Sequence, residues 1–463
     1  VSPGPHFTAG DLISATGGRY LGVPPAAVSG ISTDTRAIAP GSAFVALRGE
    51  RFDGHDFLPE AARAGAACAV VAEGRAGAAP PGIALLAVPD TLEALGGIAR
   101  LHRRRFAIPV VGVTGSNGKT TTREMIAAIL ATRGPVLKTE GNLNNEVGVP
   151  ITLLRLGPEH TAAVIEMGMN HRGEIGRLTA IAEPRVGVVT NAFPAHLEGL
   201  GTVDGVADAK GELYQGLPPD GVVVANADDP RMLRRARKSG RRVLTFSGGR
   251  DREADVVVLD VLSQDPQGIR FLLGIGTKEL EVRLPLVGEH NAANAAAAAA
   301  VALALGCSDR EIVRGLADVR PVGRRLRIER LASGVLLVDD CYNANPASMK
   351  AALRTLRQLA GAGRALAALG DMLELGTAEG ELHRELGRDA AAAGLDLLAT
   401  FGPRTRLSHE AALAAGLAPA SAFHTEDPLA LADFVRERLL PGDALLVKGS
   451  RGMKLERLVE ALR

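Results

Sequence analysis

The sequence predicts an α/β protein of three domains: a small N-terminal α/β unit, a central unit built on a mostly parallel sheet with a phosphate-binding loop, and a C-terminal Rossmann-like, doubly wound sheet. Three observations predict it. Short apolar runs of strand length alternate with helical segments along most of the chain, as a sheet covered on both faces requires. The length of 463 residues suits two to four domains at roughly 100–200 residues each. A glycine-rich segment, Gly112-Val-Thr-Gly-Ser-Asn-Gly-Lys-Thr-Thr-Thr122, stands between a buried strand and a helix. The expected domains are residues 1–106, 107–320 and 321–463.

In the first unit, Ala43-Phe-Val-Ala-Leu and Cys68-Ala-Val-Val-Ala read as strands, with a helix at 58–65 between them. A helix over 95–105 ends in Arg103-Arg-Arg, a solvated end where cations suit the macrodipole. In the second unit, Ile108-Pro-Val-Val-Gly-Val is a buried strand followed by a helix over 120–132, and Ala162-Ala-Val-Ile-Glu, Val186-Gly-Val-Val-Thr and Val222-Val-Val-Ala are further strands. Residues 254–286 alternate apolar and polar, which predicts an antiparallel extension. The alanine-rich run 292–305 is too short to span a bilayer and reads as a buried helix. In the third unit, Val335-Leu-Leu-Val-Asp, Ala365-Leu-Ala-Ala-Leu, Asp396-Leu-Leu-Ala-Thr-Phe and Ala444-Leu-Leu-Val-Lys are strands, each followed by a loop and helix.

Composition narrows the function. With no Trp, three Tyr and eleven Phe, the cores must be aliphatic, and each domain is expected to bury its own. The formal net charge of +1 supplies no bulk field toward nucleic acid or an anionic membrane. Three separated cysteines form neither a disulfide framework nor a metal spacing, which favours a reducing compartment. Val1-Ser-Pro-Gly-Pro begins no signal peptide, so the expected location is cytoplasmic. No heptad seam suggests a dimer, and a monomer is expected.

The glycine-rich segment carries the first chemistry. Between strand and helix, glycines let backbone N–H groups turn toward phosphates, and the helix N-terminus adds positive potential. Lys119 can reach the β- and γ-phosphates, and the Thr120 hydroxyl can ligate Mg²⁺. The pattern is a variant, because Val113 stands where the strict motif has glycine. Gly115, Asn117, Gly118, Lys119, Thr120 and Thr121 are the candidate nucleotide ligands. Glu166 ends one strand and Asp340 closes another, and acidic groups at the C-terminal ends of parallel strands face the ligand crevice. Asn291 and Asn294 lie one turn apart on an otherwise apolar helix. Asn291 can cap that helix or meet a ligand, whereas Asn294 has no capping role. Pro346 suits a first helical turn with Asn345 as its cap.

The loop Thr-Gly-Ser-Asn-Gly-Lys-Thr-Thr resembles that of the Mur ligases, cytoplasmic enzymes that build the peptide of peptidoglycan one amide at a time. The likeness continues in order through Glu140-Gly-Asn-Leu-Asn-Asn-Glu-Val-Gly-Val-Pro150, Glu166-Met-Gly-Met-Asn-His-Arg-Gly-Glu-Ile175 and Ala195-His-Leu-Glu-Gly199. It runs on through Ala207-Asp-Ala-Lys-Gly-Glu212, Gly288-Glu-His-Asn-Ala-Ala-Asn294, Asp339-Asp-Cys-Tyr-Asn-Ala-Asn-Pro346, Leu369-Gly-Asp-Met-Leu-Glu-Leu-Gly376 and Lys448-Gly-Ser-Arg-Gly452. Ser32-Thr-Asp-Thr-Arg36 and Ala46-Leu-Arg-Gly-Glu-Arg-Phe-Asp-Gly-His-Asp-Phe57 resemble the family's domain for the uridine nucleotide.

The resemblance implies ATP-dependent amide ligation through an acyl phosphate, with UDP-N-acetylmuramoyl-tripeptide, D-alanyl-D-alanine and ATP as substrates and two Mg²⁺ ions as cofactors. It implies that Lys119, Glu166, His196 and Lys210 carry catalysis. Thr120, Glu166, His196 and Lys210, the last as a carbamate formed with CO₂, would be the metal ligands. By residue type alone, His196 reads as a hydrogen-bonded loop residue and Lys210 as a surface lysine, with Asp208 an alternative anion. The resemblance further implies that Asn291 and Asn294 meet the adenine side, Asp340 the ribose and Arg324 the phosphates. Thr33, Asp34, Arg36, Asn142, Asn145, Lys448 and Arg451 would serve the other substrates.

Overall fold

A computed structural model describes residues 5–195, 197–249 and 253–463. Valine-rich runs bury both faces of a nine-stranded central sheet. Its order is Lys278–Leu284, Gly268–Ile275, Val256–Asp265, Arg242–Ser247, Val222–Asn226, Val186–Val189, Val110–Thr114, Ala162–Glu166, Val136–Lys138. The pairings from Val136–Lys138 across to Val256–Asp265 are parallel, and the two hairpin pairings beyond are antiparallel. The antiparallel extension is thus where its alternating pattern predicts.

Side chains alternate between the two faces of this sheet. Val111, Val113, Val164 and Val188 face the helices Lys119–Leu130, Glu289–Ala304 and Asp309–Ala317. Val110, Ala163, Ile165 and Val189 face the other way. The alanine run Ala295–Ala302 is buried throughout, and its small side chains let that helix lie close on the sheet.

A six-stranded sheet forms the C-terminal unit, ordered Arg327–Arg330, Leu336–Asp340, Ala444–Lys448, Ala365–Gly370, Leu397–Phe401, Ala422–Thr425. Only its first pairing is antiparallel. Separate aliphatic clusters cover its two faces, so it is doubly wound. The N-terminal unit holds a five-stranded sheet and a two-stranded ribbon, His6–Thr8 with Ala27–Ser29. No described helix is long and apolar enough to cross a membrane.

One expectation changes, and one open alternative closes. The N-terminal unit does not keep a core entirely to itself. The helix Thr91–Arg103 buries Leu95 and Ile98 in one aliphatic cluster with Val70 and Leu86 on one side and Val149, Leu153 and Leu178 of the central unit on the other. His102 is buried at this seam, its Nε2 3.0 Å from the Leu156 carbonyl oxygen. Asn291 is not a cap either: the helix begins at Glu289 after Gly288, so Asn291 lies inside its first turn.

Because the cluster crosses the seam, Leu95→Ala should cost about 2–5 kcal/mol. It should also lower hydrogen-exchange protection in Gly148–Leu153 as well as in Cys68–Ala72. Loss confined to the N-terminal strands would show that the two units are energetically separate.

Candidate active site

The glycine-rich loop leaves the strand Val110–Thr114, which lies between Ala162–Glu166 and Val186–Val189. The residues that follow Val186–Val189 hold it. Ser116 N–H donates to the Asn191 carbonyl at 3.0 Å, Asn117 N–H to Asn191 Oδ1 at 2.9 Å, and the Thr190 hydroxyl to the Asn117 carbonyl at 2.5 Å. Two glycines are obligatory here. At Gly115, φ is +151° and a Cβ would lie 1.8 Å from Thr190 Oγ1; at Gly118, φ is +80° and a Cβ would lie 2.3 Å from Asn294 Oδ1. No side chain caps the helix that starts at Lys119, so its first-turn N–H groups remain open to an anion. Lys119 Nζ folds back over the loop and donates to the Gly115 carbonyl at 2.8 Å.

The acid end of the next strand meets this loop. Thr120 Oγ1 donates to Glu166 Oε2 at 2.9 Å, Arg123 Nη1 to the same oxygen at 3.1 Å, and Asn144 Nδ2 to Oε1 at 2.9 Å. The Glu166 N–H is fixed on the Thr139 hydroxyl at 2.9 Å. Glu166 is buried at 2% exposure. Glu166 and Thr120, both candidates by sequence, are therefore neighbours, joined by Arg123 and Asn144, which no local sequence signal marks. Asn144 sits in the Asn-Leu-Asn-Asn run between the candidates Asn142 and Asn145. Instead, Asn145 Oδ1 accepts from Gly148 N–H at 2.8 Å and from Val147 N–H at 3.3 Å, and Asn142 is exposed.

Positive charge accumulates around the loop. Burial pulls the Lys119 ammonium below its usual range and Arg325 pulls it further, against the opposing effect of Glu166. Lys210 is 2% exposed on the helix Val203–Gly216. Burial, and then the Lys119 charge, push its amine well below the usual lysine range. It has no hydrogen-bond or carboxylate partner among the described residues. Asp208, the alternative anion, is held on Arg235 at 2.6 Å and is largely exposed.

The C-terminal unit closes the arrangement. Asp340 Oδ2 takes Lys448 Nζ at 2.6 Å and Oδ1 takes Leu326 N–H at 3.1 Å; Lys448 also donates to the Asn343 carbonyl at 2.9 Å. Lys448, read as a substrate ligand, is thus engaged with the acid read as a ribose ligand. Arg324 is committed to Asp339 at 3.2 Å and Glu460 at 2.8 Å. Its neighbour Arg325 stacks 4.0 Å from the Tyr342 ring centroid and lines a cavity with Thr120, Thr121, Glu124, Asn291 and Arg320. Asn294 donates to Asn291 Oδ1 at 3.1 Å, and Asn291 to the Val287 carbonyl at 2.7 Å. Asn117 and Asn345 exchange amide hydrogen bonds of 3.1 and 2.6 Å across the two units. Asn345 caps Pro346–Ala360 as expected, accepting from Ser348 N–H at 3.0 Å.

Thr33, Asp34 and Arg36 lie in the N-terminal unit. There the Arg36 guanidinium and N–H hold the Asp34 carboxyl down at about 2, and both side chains are open to solvent. Arg451 is exposed near Glu456. His196 lies outside the described residues. No group of three metal-ligating His, Cys, Asp or Glu side chains occurs among the described residues.

A P-loop with an acid on the adjacent strand, beside a doubly wound domain, defines a nucleotide-dependent enzyme of three domains. Family models agree. The Mur ligase family catalytic domain matches residues 27–103, the Mur ligase middle domain 113–302, and the Mur ligase glutamate ligase domain 324–451. The chain belongs to the Mur ligase family. It is 42% identical over 441 residues to the UDP-N-acetylmuramoyl-tripeptide–D-alanyl-D-alanine ligase of Escherichia coli strain K12, covering 94% of this chain and 93% of that one. The ligase of the same name from Bacillus subtilis strain 168 is 39% identical over 437 residues, with the same two coverages. A crystal structure of MurF from Acinetobacter baumannii superposes with a TM-score of 0.90 at 36% identity, covering 99% of both chains. The MurF ligase of Thermotoga maritima in complex with ADP gives 0.83 at 30% identity, covering 93% of this chain and 96% of that one.

The amide pair between Asn117 and Asn345 predicts coupling between the domains. Asn345→Ser keeps a good helix cap but cannot reach Asn117. It should leave the unfolding midpoint in place and raise KM for ATP about tenfold, as two lost hydrogen bonds allow. An unchanged KM would mean that the pair does not couple docking to nucleotide binding.

Proposed function

We propose that this chain is the ATP-dependent ligase that joins D-alanyl-D-alanine to UDP-N-acetylmuramoyl-tripeptide in peptidoglycan precursor synthesis. The observation that carries the reading is the convergence of Lys119, Thr120 and Glu166 with Arg325 of the next domain, in a chain that matches ligases of that name over 94% of its length. A carboxylate repels nucleophiles, so it must first be activated. Its oxygen bonds to the γ-phosphorus of ATP as the bond to ADP breaks. The amine of the dipeptide then attacks the carbonyl carbon, loses a proton, and phosphate departs with the C–O bond. Two anions meet in the first step, so cations and positioning dominate catalysis.

The loop N–H groups and Lys119 hold the phosphates. Asn291 and Asn294 lie on the adenine side, Asp340 binds ribose hydroxyls, and Arg325 joins or replaces Arg324 at the phosphates. Thr120 and Glu166, two oxygen donors 2.9 Å apart, suit a hard cation that keeps phosphate and water ligands. Bound there, Mg²⁺ neutralises phosphate charge. A second ion would draw on His196 and Lys210. As an ammonium, Lys210 would repel it; a buried neutral amine that combines with CO₂, releasing a proton, becomes an anion. The closed C-terminal domain excludes water from a labile acyl phosphate. Thr33, Asp34, Arg36, Asn142, Asn145, Lys448 and Arg451 remain proposed contacts of the peptide and its uridine nucleotide. The monomeric state and cytoplasmic location belong to the same reading.

Phosphate release should require both UDP-N-acetylmuramoyl-tripeptide and D-alanyl-D-alanine, and the product should gain one dipeptide by mass. Release with a single amino acid would reassign the chain to a sister ligase, and release indifferent to acceptor would make it a nucleotide switch. Lys210→Ala should lower kcat about 100-fold or more, with partial rescue by short-chain carboxylates. No rescue, together with an unmodified Lys210 mass in the parent protein, would remove the carbamate. Arg325→Ala should raise KM for ATP about tenfold, more than Arg324→Ala does; the reverse order would return the phosphate role to Arg324.

A further inference from the structure

Arg123 heads the largest fully buried side chains of the protein. It stands three residues after Thr120 on the helix Lys119–Leu130, so the two share a face. Both end on the same atom: Glu166 Oε2 lies 2.9 Å from Thr120 Oγ1 and 3.1 Å from Arg123 Nη1. The rest of the fork goes elsewhere. Arg123 Nε and Nη2 donate to Glu124 Oε1 at 3.2 and 2.5 Å, and the other Glu124 oxygen takes the Lys138 ammonium. Packing alone does not account for this cation. Burying it costs several kcal/mol before pairing, and an apolar side chain of similar volume commonly fills such a position at no loss of stability.

The pairing leaves Glu166 little freedom. An ionised carboxylate offers about four acceptor sites. Thr120 and Arg123 take two on Oε2, and Asn144 takes one on Oε1 at 2.9 Å. We infer that Arg123 is a positioning residue: its planar fork, anchored on Glu124, fixes the Glu166 carboxylate in the one orientation in which its remaining lone pair can serve the nucleotide-bound cation. A lysine could neutralise Glu166 but could not bridge both carboxylates in a fixed plane. The inference rests on reading Glu166 as a cation-holding acid.

The test is Mn²⁺ binding in the presence of ADP, followed by electron paramagnetic resonance, alongside kcat, KM and the unfolding midpoint. Arg123→Lys keeps the charge and removes the fork. It should weaken Mn²⁺ binding and lower kcat, each by about tenfold, as loss of an outer-shell partner does, with metal-free ADP affinity unchanged. Glu124→Gln removes the anchor and should shift both quantities in the same direction by less, and it carries the test if Arg123→Lys does not fold. Wild-type Mn²⁺ affinity and kcat in folded Arg123→Lys, or in Glu124→Gln where the first variant fails, would overturn the inference and leave Arg123 a structural ion pair. Glu166→Gln is the control. If it leaves Mn²⁺ affinity unchanged, the reading of Glu166 fails, separately from that of Arg123.

Discussion

The hydrogen bond from Thr120 to Glu166 is the contact around which the site is organised. It joins the first turn of one helix to the end of the neighbouring strand, and it forms only because Val110–Thr114 and Ala162–Glu166 are adjacent, parallel and in register. Parallel pairing brings the C-terminal ends of both strands to one edge. There the glycine loop opens its N–H groups, and the acid stands beside it. A hydroxyl and a carboxylate at that edge make a hard, oxygen-rich place in a setting otherwise rich in cations.

Charge balance gives that edge its character. Lys119 feels the charge of Arg325 and Lys210 that of Lys119, Glu166 opposes the effect on Lys119, and burial penalises both ammonium groups further. A group of cations short of anions is poised for a polyanion, and it is least comfortable when empty. The same imbalance makes Lys210 unlike an ordinary lysine. It is sealed from water with no counter-ion among the described residues, and burial pulls its amine well below the usual lysine range. Glu124 pairs with Arg123, takes Lys138 on its other oxygen and lines the same cavity as Thr120.

The seams between domains differ in kind. The N-terminal seam is aliphatic, continuous with the central core through Leu95 and Ile98, and suited to holding one arrangement. The C-terminal seam at the loop is polar: Asn117 with Asn345, and Arg325 on its aromatic support. Polar contacts of this kind exchange with water at little net cost, whereas an aliphatic seam loses burial when its halves part.

Strands and helices whose pattern repeats locally were legible in the sequence: the valine-rich parallel strands, the alanine helix, the antiparallel extension, and the Pro346 helix with its Asn345 cap. Short strands such as Val136–Lys138 and Ala422–Thr425 were not, because three or four residues carry too little periodicity and owe their form to a neighbour. The loop glycines, Lys119, Thr120, Glu166 and Asp340 could be named because strand ends and glycine spacing are one-dimensional signals. Which side chain meets which could not. Arg123, Asn144 and Arg325 look like surface residues until packing turns them inward. Arg324 and Lys448 look free until Asp339 and Asp340 engage them. Sequence determines the elements and the chemistry available at their ends, because hydrogen bonding and hydrophobic periodicity act over a few residues. Only the tertiary structure decides the partners, because burial, charge pairing and the choice between adjacent arginines depend on chain segments tens to hundreds of residues apart.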